Sequence, residues 1–127
     1  MKLDSRDHQE FFDDLDENRY HIFSRRNAAK PGFYPNAFPA HPEIAIEDVR
    51  EGDLITVRAF FAVGRSKPPR IDSGEMTLEV EWVDRDERLL VANILTDLPQ
   101  SFPLAKGTSI ELDLDEVLIV HRRRRRG

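Results

Sequence analysis

The stretch MTLEVEWVD, Met76 to Asp84, sets Met76, Leu78, Val80 and Trp82 against Thr77, Glu79 and Glu81 in strict alternation. Successive side chains of a strand point to opposite faces, so a period of two predicts one row in a core and the other in water. DRDE, Asp84 to Glu87, then makes a short polar turn into RLLVANILTD. The two runs are expected to pair as an antiparallel hairpin.

The same signature, short runs rich in β-branched and aromatic residues, begins at Ile44 and extends to Val120. DLITVRAFFAV, Asp53 to Val63, is the first long strand, and GRSKPPRIDSGE, Gly64 to Glu75, reads as a long turn-rich loop. After LPQSFPLAKG, the run SIELDLDEVLIV supplies a strand around Ile110 and Leu112, a tight turn, and a last strand at Leu118 to Val120. VREGDLITV, Val49 to Val57, is echoed by LAKGTSIEL, Leu104 to Leu112, each placing glycine in a tight turn before a strand that starts an edge of the sheet. Two equivalent barrel corners account for the echo. Five short strands with one long hairpin predict an α+β, mostly β domain. Its core is a small antiparallel β-barrel or strongly curved sheet, SH3-like or OB-like, packed by one N-terminal helix.

That helix is expected from about Arg6 to Phe23, with Ser5 or Asp7 as cap and Phe12, Leu15, Ile22 and Phe23, joined by Phe11, approximating one stripe. A strap over residues 30–43 follows, where Pro31, Pro35, Pro39 and Pro42 exclude both a helix and an interior strand. Phe33, Tyr34 and Phe38 lie between these prolines. Aromatics favour burial, so the strap is expected to lie ordered over apolar surface, with a partner-binding segment as the other reading.

At 127 residues the chain is expected to hold one domain, residues 1–121, with 122–127 a disordered tail. The absence of cysteine excludes a disulfide framework, a thiolate metal site and a cysteine nucleophile. No apolar run approaches the roughly 18 residues of a membrane helix, and MKLDSRDHQEFF lacks a signal peptide's apolar region. The expectation is a cytoplasmic protein without membrane contact. The formal charge is −5, but with Arg122 to Arg126 set aside 14 Lys and Arg remain against 24 Asp and Glu, which is −10. A body of that sign repels polyanions.

Few patterns carry chemistry. Asp14, Asp16 and Asn18 match the first three ligand positions of a calcium loop, but Arg19 and Arg25 stand where glycine and the bidentate glutamate belong. His8, His21, His41 and His121 form no ligand pair, and Ser66, Ser73 and Ser101 have no nucleophile context. Glu79 and Glu81 share the spacing of a carboxylate pair, which solvated strands also show. No cofactor, metal or catalytic residue is assigned. The candidates for binding are the basic loop residues Arg65, Lys67 and Arg70, with Arg58 before them, the aromatics Phe33, Tyr34 and Phe38, and the tail Arg122, Arg123, Arg124, Arg125 and Arg126.

GDLITVRAFF read with GEMTLEVEWVDRDERLLVANILTDLPQSFPLAKGTSIELDLDEVLIV, from about Gly52 to Val120, resembles DUF2314, a family of small bacterial domains of unknown function. The points that carry the resemblance are the strand Val57 to Phe61, Glu75 before Met76, the turn Asp84 to Arg88, Asp97 to Pro99 and the start at Gly107. The resemblance implies a compact β-rich domain and no known activity. The expected function is a non-catalytic module, monomer or weak homodimer, that meets a protein or peptide along an edge strand or under the strap. The alternative is an RNA or DNA accessory protein using the arginine tail and the 65–70 loop.

Overall fold

The computed structural model describes residues 9–30, 32–34, 42–64, 70–99 and 102–121. Gln9–Asn18 form helix α1, Tyr20–Ile22 strand β1, and Arg25–Ala28 the single turn α2. A 3-10 turn, η1 (Ile46–Asp48), precedes β2 (Leu54–Val63), β3 (Arg70–Asp84), β4 (Leu89–Ile94) and β5 (Ser109–Asp113). A second 3-10 turn, η2 (Leu114–Glu116), leads to β6 (Ile119–His121). All pairings are antiparallel in the order β1-β2-β3-β4-β5, with β6 returned to β2. The sheet curls into a half-barrel in which a 3-10 turn brings the last strand back to the first strand of a meander. Of the two expected arrangements this is the SH3-like one.

β2 carries the packing because both of its faces are buried. Ile55, Val57, Ala59 and Phe61 point into the half-barrel, where Met76, Leu78, Val80, Leu90, Ala92, Ile94 and Leu112 meet them. Phe60 and Ala62 point the other way, under Phe11 and Leu15 of α1 and beside Phe23, Phe33 and Tyr34. Each fully buried large apolar side chain contributes about 1.5–3 kcal/mol, so α1, Phe33 and Tyr34 are held to β2 by this smaller second cluster.

Three expectations are corrected. The helix ends at Asn18, not Phe23, because Arg19 turns left-handed (φ 65) and its N–H closes on the Leu15 carbonyl at 2.7 Å. Ile22 and Phe23 continue the apolar stripe only on paper, since they serve different clusters from an extended segment. The second half of the Gly64 to Glu75 loop is strand: Ile71–Glu75 pair with Ala62–Arg58, and exposure of this end leaves no apolar alternation to read. Trp82 is not in the core row. A register shift between Val80 and Trp82 inserts one residue, so Trp82 turns outward, 50% exposed, and Val83 packs inward.

The internal echo is structural. Gly52 N–H donates to the Val80 carbonyl at 2.8 Å while Val80 N–H donates to the Asp53 carbonyl at 2.9 Å. Gly107 N–H donates to Ile94 at 2.8 Å while Ile94 N–H donates to Thr108 at 2.9 Å. Both glycines have φ 89. The corners are equivalent as expected, but β2 is a central strand, not an edge.

No atom lies within 4 Å of a Cβ added at Gly52 or Gly107, so a side chain there meets only backbone strain. Gly52→Ala and Gly107→Ala are each expected to lose about 1–2 kcal/mol in urea denaturation. Gly74→Ala, open and without positive φ, is expected to lose nothing.

Candidate functional site

The half-barrel is open between its edges, β1 and β5, and a cleft of about 470 Å³ occupies the gap. One wall is Tyr20, His21 and Ile22 with Asp14 and Asn18 of α1, and the other is Ile110, Glu111 and Asp113 of β5 with Asp115 and Glu116 of η2. Ser24, Arg26, Asn27 and Phe33 also line it, with Glu10 at the α1 side. Six carboxylates thus face one guanidinium, that of Arg26, which reaches Asp115 at 3.1 Å and Asp113 at 3.4 Å.

Backbone groups on both walls turn into the gap. The Arg19 carbonyl accepts from Ala62 N–H and Phe23 N–H donates to the Arg58 carbonyl, so residues 19, 21 and 23 are the ones hydrogen-bonded to β2. By the alternation of an antiparallel ladder, Tyr20 and Ile22 direct N–H and C=O the other way. On β5, the Ile94–Thr108 and Arg88–Leu114 bonds fix the even-numbered residues toward β4. Ser109 and Glu111 therefore present their backbone groups outward.

His21 organises the inner wall. Its Nδ1 lies 2.6 Å from Asp14 Oδ2 and its Nε2 lies 2.8 Å from the Tyr34 hydroxyl, which also accepts from Ser24 N–H at 3.0 Å. The Asp14 carboxylate can only accept, which assigns the ring proton to Nδ1 and leaves Nε2 to accept from the Tyr34 hydroxyl. Burial lowers the His21 pKa below its usual value, against the opposing effect of Asp14, and the ring is neutral. Burial likewise pushes Tyr34 up to about 12. Asp14 is bound on its other oxygen by Asn18 Nδ2 at 2.6 Å. Aspartate, histidine and tyrosine in series suggest nucleophilic catalysis, but the Tyr34 ring is buried against Phe11, Phe23, Phe33 and Phe60, and both His21 nitrogens are engaged. The chain of bonds ties α1, β1 and the strap into one wall.

The outer wall is shaped by a capping box. Asp113 accepts from Asp115 N–H at 3.0 Å while Glu116 Oε1 accepts from Asp113 N–H at 2.7 Å. Burial pushes the Glu116 carboxyl up to about 7, with the Asp113, Asp14 and Asp115 charges adding to it and the Asp113 amide opposing.

Of the sequence-derived candidates, Phe33 and Tyr34 are buried, in the packing role, with Phe33 at the cleft wall and Tyr34 behind it. Arg70 is exposed at the start of β3, opposite Val63, and takes no part in the cleft. Arg58 meets Glu75 at 3.5 Å. Glu79 and Glu81 do not line the cleft, and Glu81 accepts from the Ser109 hydroxyl. Phe38, Arg65, Lys67, Arg122 to Arg126, His8, His41 and the caps Ser5 and Asp7 lie outside the described residues. Among the described residues no group of three or more His, Asp or Glu is placed to hold a metal ion, and no helix is long and apolar enough to cross a membrane. No family model matches the chain, and no curated protein or solved structure matches it.

Two measurements test this wall. Tyr34→Phe strands the Ser24 N–H and His21 Nε2 in a buried place, and is expected to lose about 1–3 kcal/mol in urea denaturation. For Glu116 the folded state holds a proton that the unfolded chain releases near 4.5, so its contribution to stability falls as pH rises from about 4.5 to about 7 and is level above. Glu116→Gln keeps the capping acceptor and removes this slope. Its stability relative to the wild type is expected to grow across that window.

Proposed function

We propose that the protein is a non-catalytic interaction module whose β1–β5 cleft takes an extended, basic peptide segment as an added strand. What carries the reading is the pairing of two features in one place: edge backbone groups of Tyr20, Ile22 and Glu111 turned into the gap, and six carboxylates lining it. Main-chain hydrogen bonds would supply affinity without regard to sequence, and carboxylates facing alternate side chains would select arginine or lysine. The exposed Arg26 occupies this acid pair in the free protein, and an exposed ion pair is worth less than about 1 kcal/mol, so an incoming guanidinium displaces it at small cost.

Membership of DUF2314 belongs to the same proposal, as a likeness of strand and turn order over residues 52–120. A cytoplasmic location belongs to it as well. The nucleic-acid alternative has one described member on the folded body, Arg70, and it lies apart from the cleft.

The test is isothermal titration with ten-residue peptides bearing arginine at alternate positions, against glutamate-bearing and proline-interrupted controls. Only the arginine peptide is expected to bind, and Asp113→Asn with Asp115→Asn together are expected to weaken it about tenfold. Equal binding of the glutamate peptide would contradict the reading.

A further inference from the structure

A segment of the required chemistry is written in the chain itself. Arg122 to Arg126 follow β6 directly, and the remainder carries a formal −10. The outer end of the cleft already accommodates a guanidinium, since Arg26 spans Asp113 and Asp115 with its side chain 66% exposed. Planar guanidinium groups suit paired carboxylates through bidentate, charge-assisted hydrogen bonds.

The direction of β6 decides whose cleft the arginines meet. β6 runs antiparallel to β2, from Ile119 opposite Thr56 to His121 opposite Leu54. The β1 wall lies at the other half of β2, opposite Ala59 to Phe61. From Leu54 to Ala59 is five residues, about 17 Å at the rise of a strand. β6 therefore points away from the β1 wall of its own cleft at His121, which favours the cleft of a second molecule as the place the arginines meet.

Resting on the strand-capture reading above, we propose that Arg122–Arg126 of one copy fills the β1–β5 cleft of a second copy, so that the protein self-associates reversibly by exchanging tails. In an extended segment alternate side chains share a face, so two or three of the five arginines turn toward Asp113, Asp115, Asp14 and Glu10 while their backbone pairs along Glu111. Reciprocal exchange closes a two-fold dimer, in which each cleft is completed by residues of the partner. The attraction is screened by salt, so the dimer is a low-salt species.

Sedimentation velocity on the full chain at tens of micromolar, in 50 mM and 500 mM NaCl, reads this out with two variants. One replaces Arg122 to Arg126 by glutamine, leaving the folded body intact. The other is Asp113→Asn with Asp115→Asn, which keeps the capping acceptor. The wild type is expected to dimerise at 50 mM and to separate at 500 mM, and each variant alone is expected to be monomeric. Mixed, the two variants are expected to form a one-to-one complex, because one supplies a tail and the other an intact cleft. A monomeric wild type at 50 mM, or no complex on mixing, overturns the exchange. The glutamine variant is then titrated with the arginine peptide. Capture of the peptide without self-association leaves the cleft reading standing and removes the second copy as its occupant, whereas capture of neither removes both.

Discussion

Burial of both faces of β2 is the constraint on which the rest depends. A strand with one wet face needs a single core, but the second face of LITVRAFFAV carries Phe60 and Ala62 beyond Thr56 and Arg58, and the chain must cover that apolar end as well. The curled sheet covers one face and α1 with the aromatic segment covers the other. Because the covering elements come from residues 9–34, they cross the same edge of β2 that β6 uses, and β1 and β6 divide it between them. That division keeps β1 at one end of the sheet, facing β5 across the gap. The cleft is thus a consequence of how β2 is covered.

The charge of the gap follows from its backbone. An edge strand with unpaired N–H and C=O groups is prone to pair with any passing chain, and carboxylates on its rim are one means of limiting that. Here Glu111 and Asp113 on β5, Asp115 on η2 and Asp14 on α1 would repel acidic strands and attract basic ones. Burial raises the Glu116 carboxyl to about 7, and the neighbouring Asp113, Asp14 and Asp115 charges add to that effect. The neutral His21 within it acts as a spacer, donating to Asp14 and accepting from Tyr34, and so fixes the distance between α1 and the strap.

Much of this was legible in the sequence, and the failures have physical causes. Alternation from Met76 to Val80 gave the right faces because the register is unbroken there, against β2 from Met76 to Glu79 and against β4 from Leu78 to Val80. It failed at Trp82 because one residue is inserted against β4 between Val80 and Trp82, which no local pattern announces. The end of α1 at Arg19 lacked a glycine signal, and its left-handed turn is held by tertiary bonds from Arg19 Nη2 to the Gly64 carbonyl at 2.6 Å and from Ala62 N–H. The cleft was missed altogether. Asp14 and His21 are about a hundred positions from Asp113 to Glu116, and only the return of the sheet edges places them together. The one local signal was DLDE, Asp113 to Glu116, whose first and fourth residues suit a capping box.

The central claim is that the edges of β1 and β5 accept an added strand. Amide hydrogen exchange by NMR, with and without a saturating arginine-alternating peptide, reads those edges residue by residue. The account predicts that Tyr20, Ile22 and Glu111, fast in the free protein because their N–H groups face the gap, become protected on binding while Val91 and Ala92 change little. Binding that leaves those three amides unprotected, or that protects the exposed end of β3 near Arg70 instead, would contradict it.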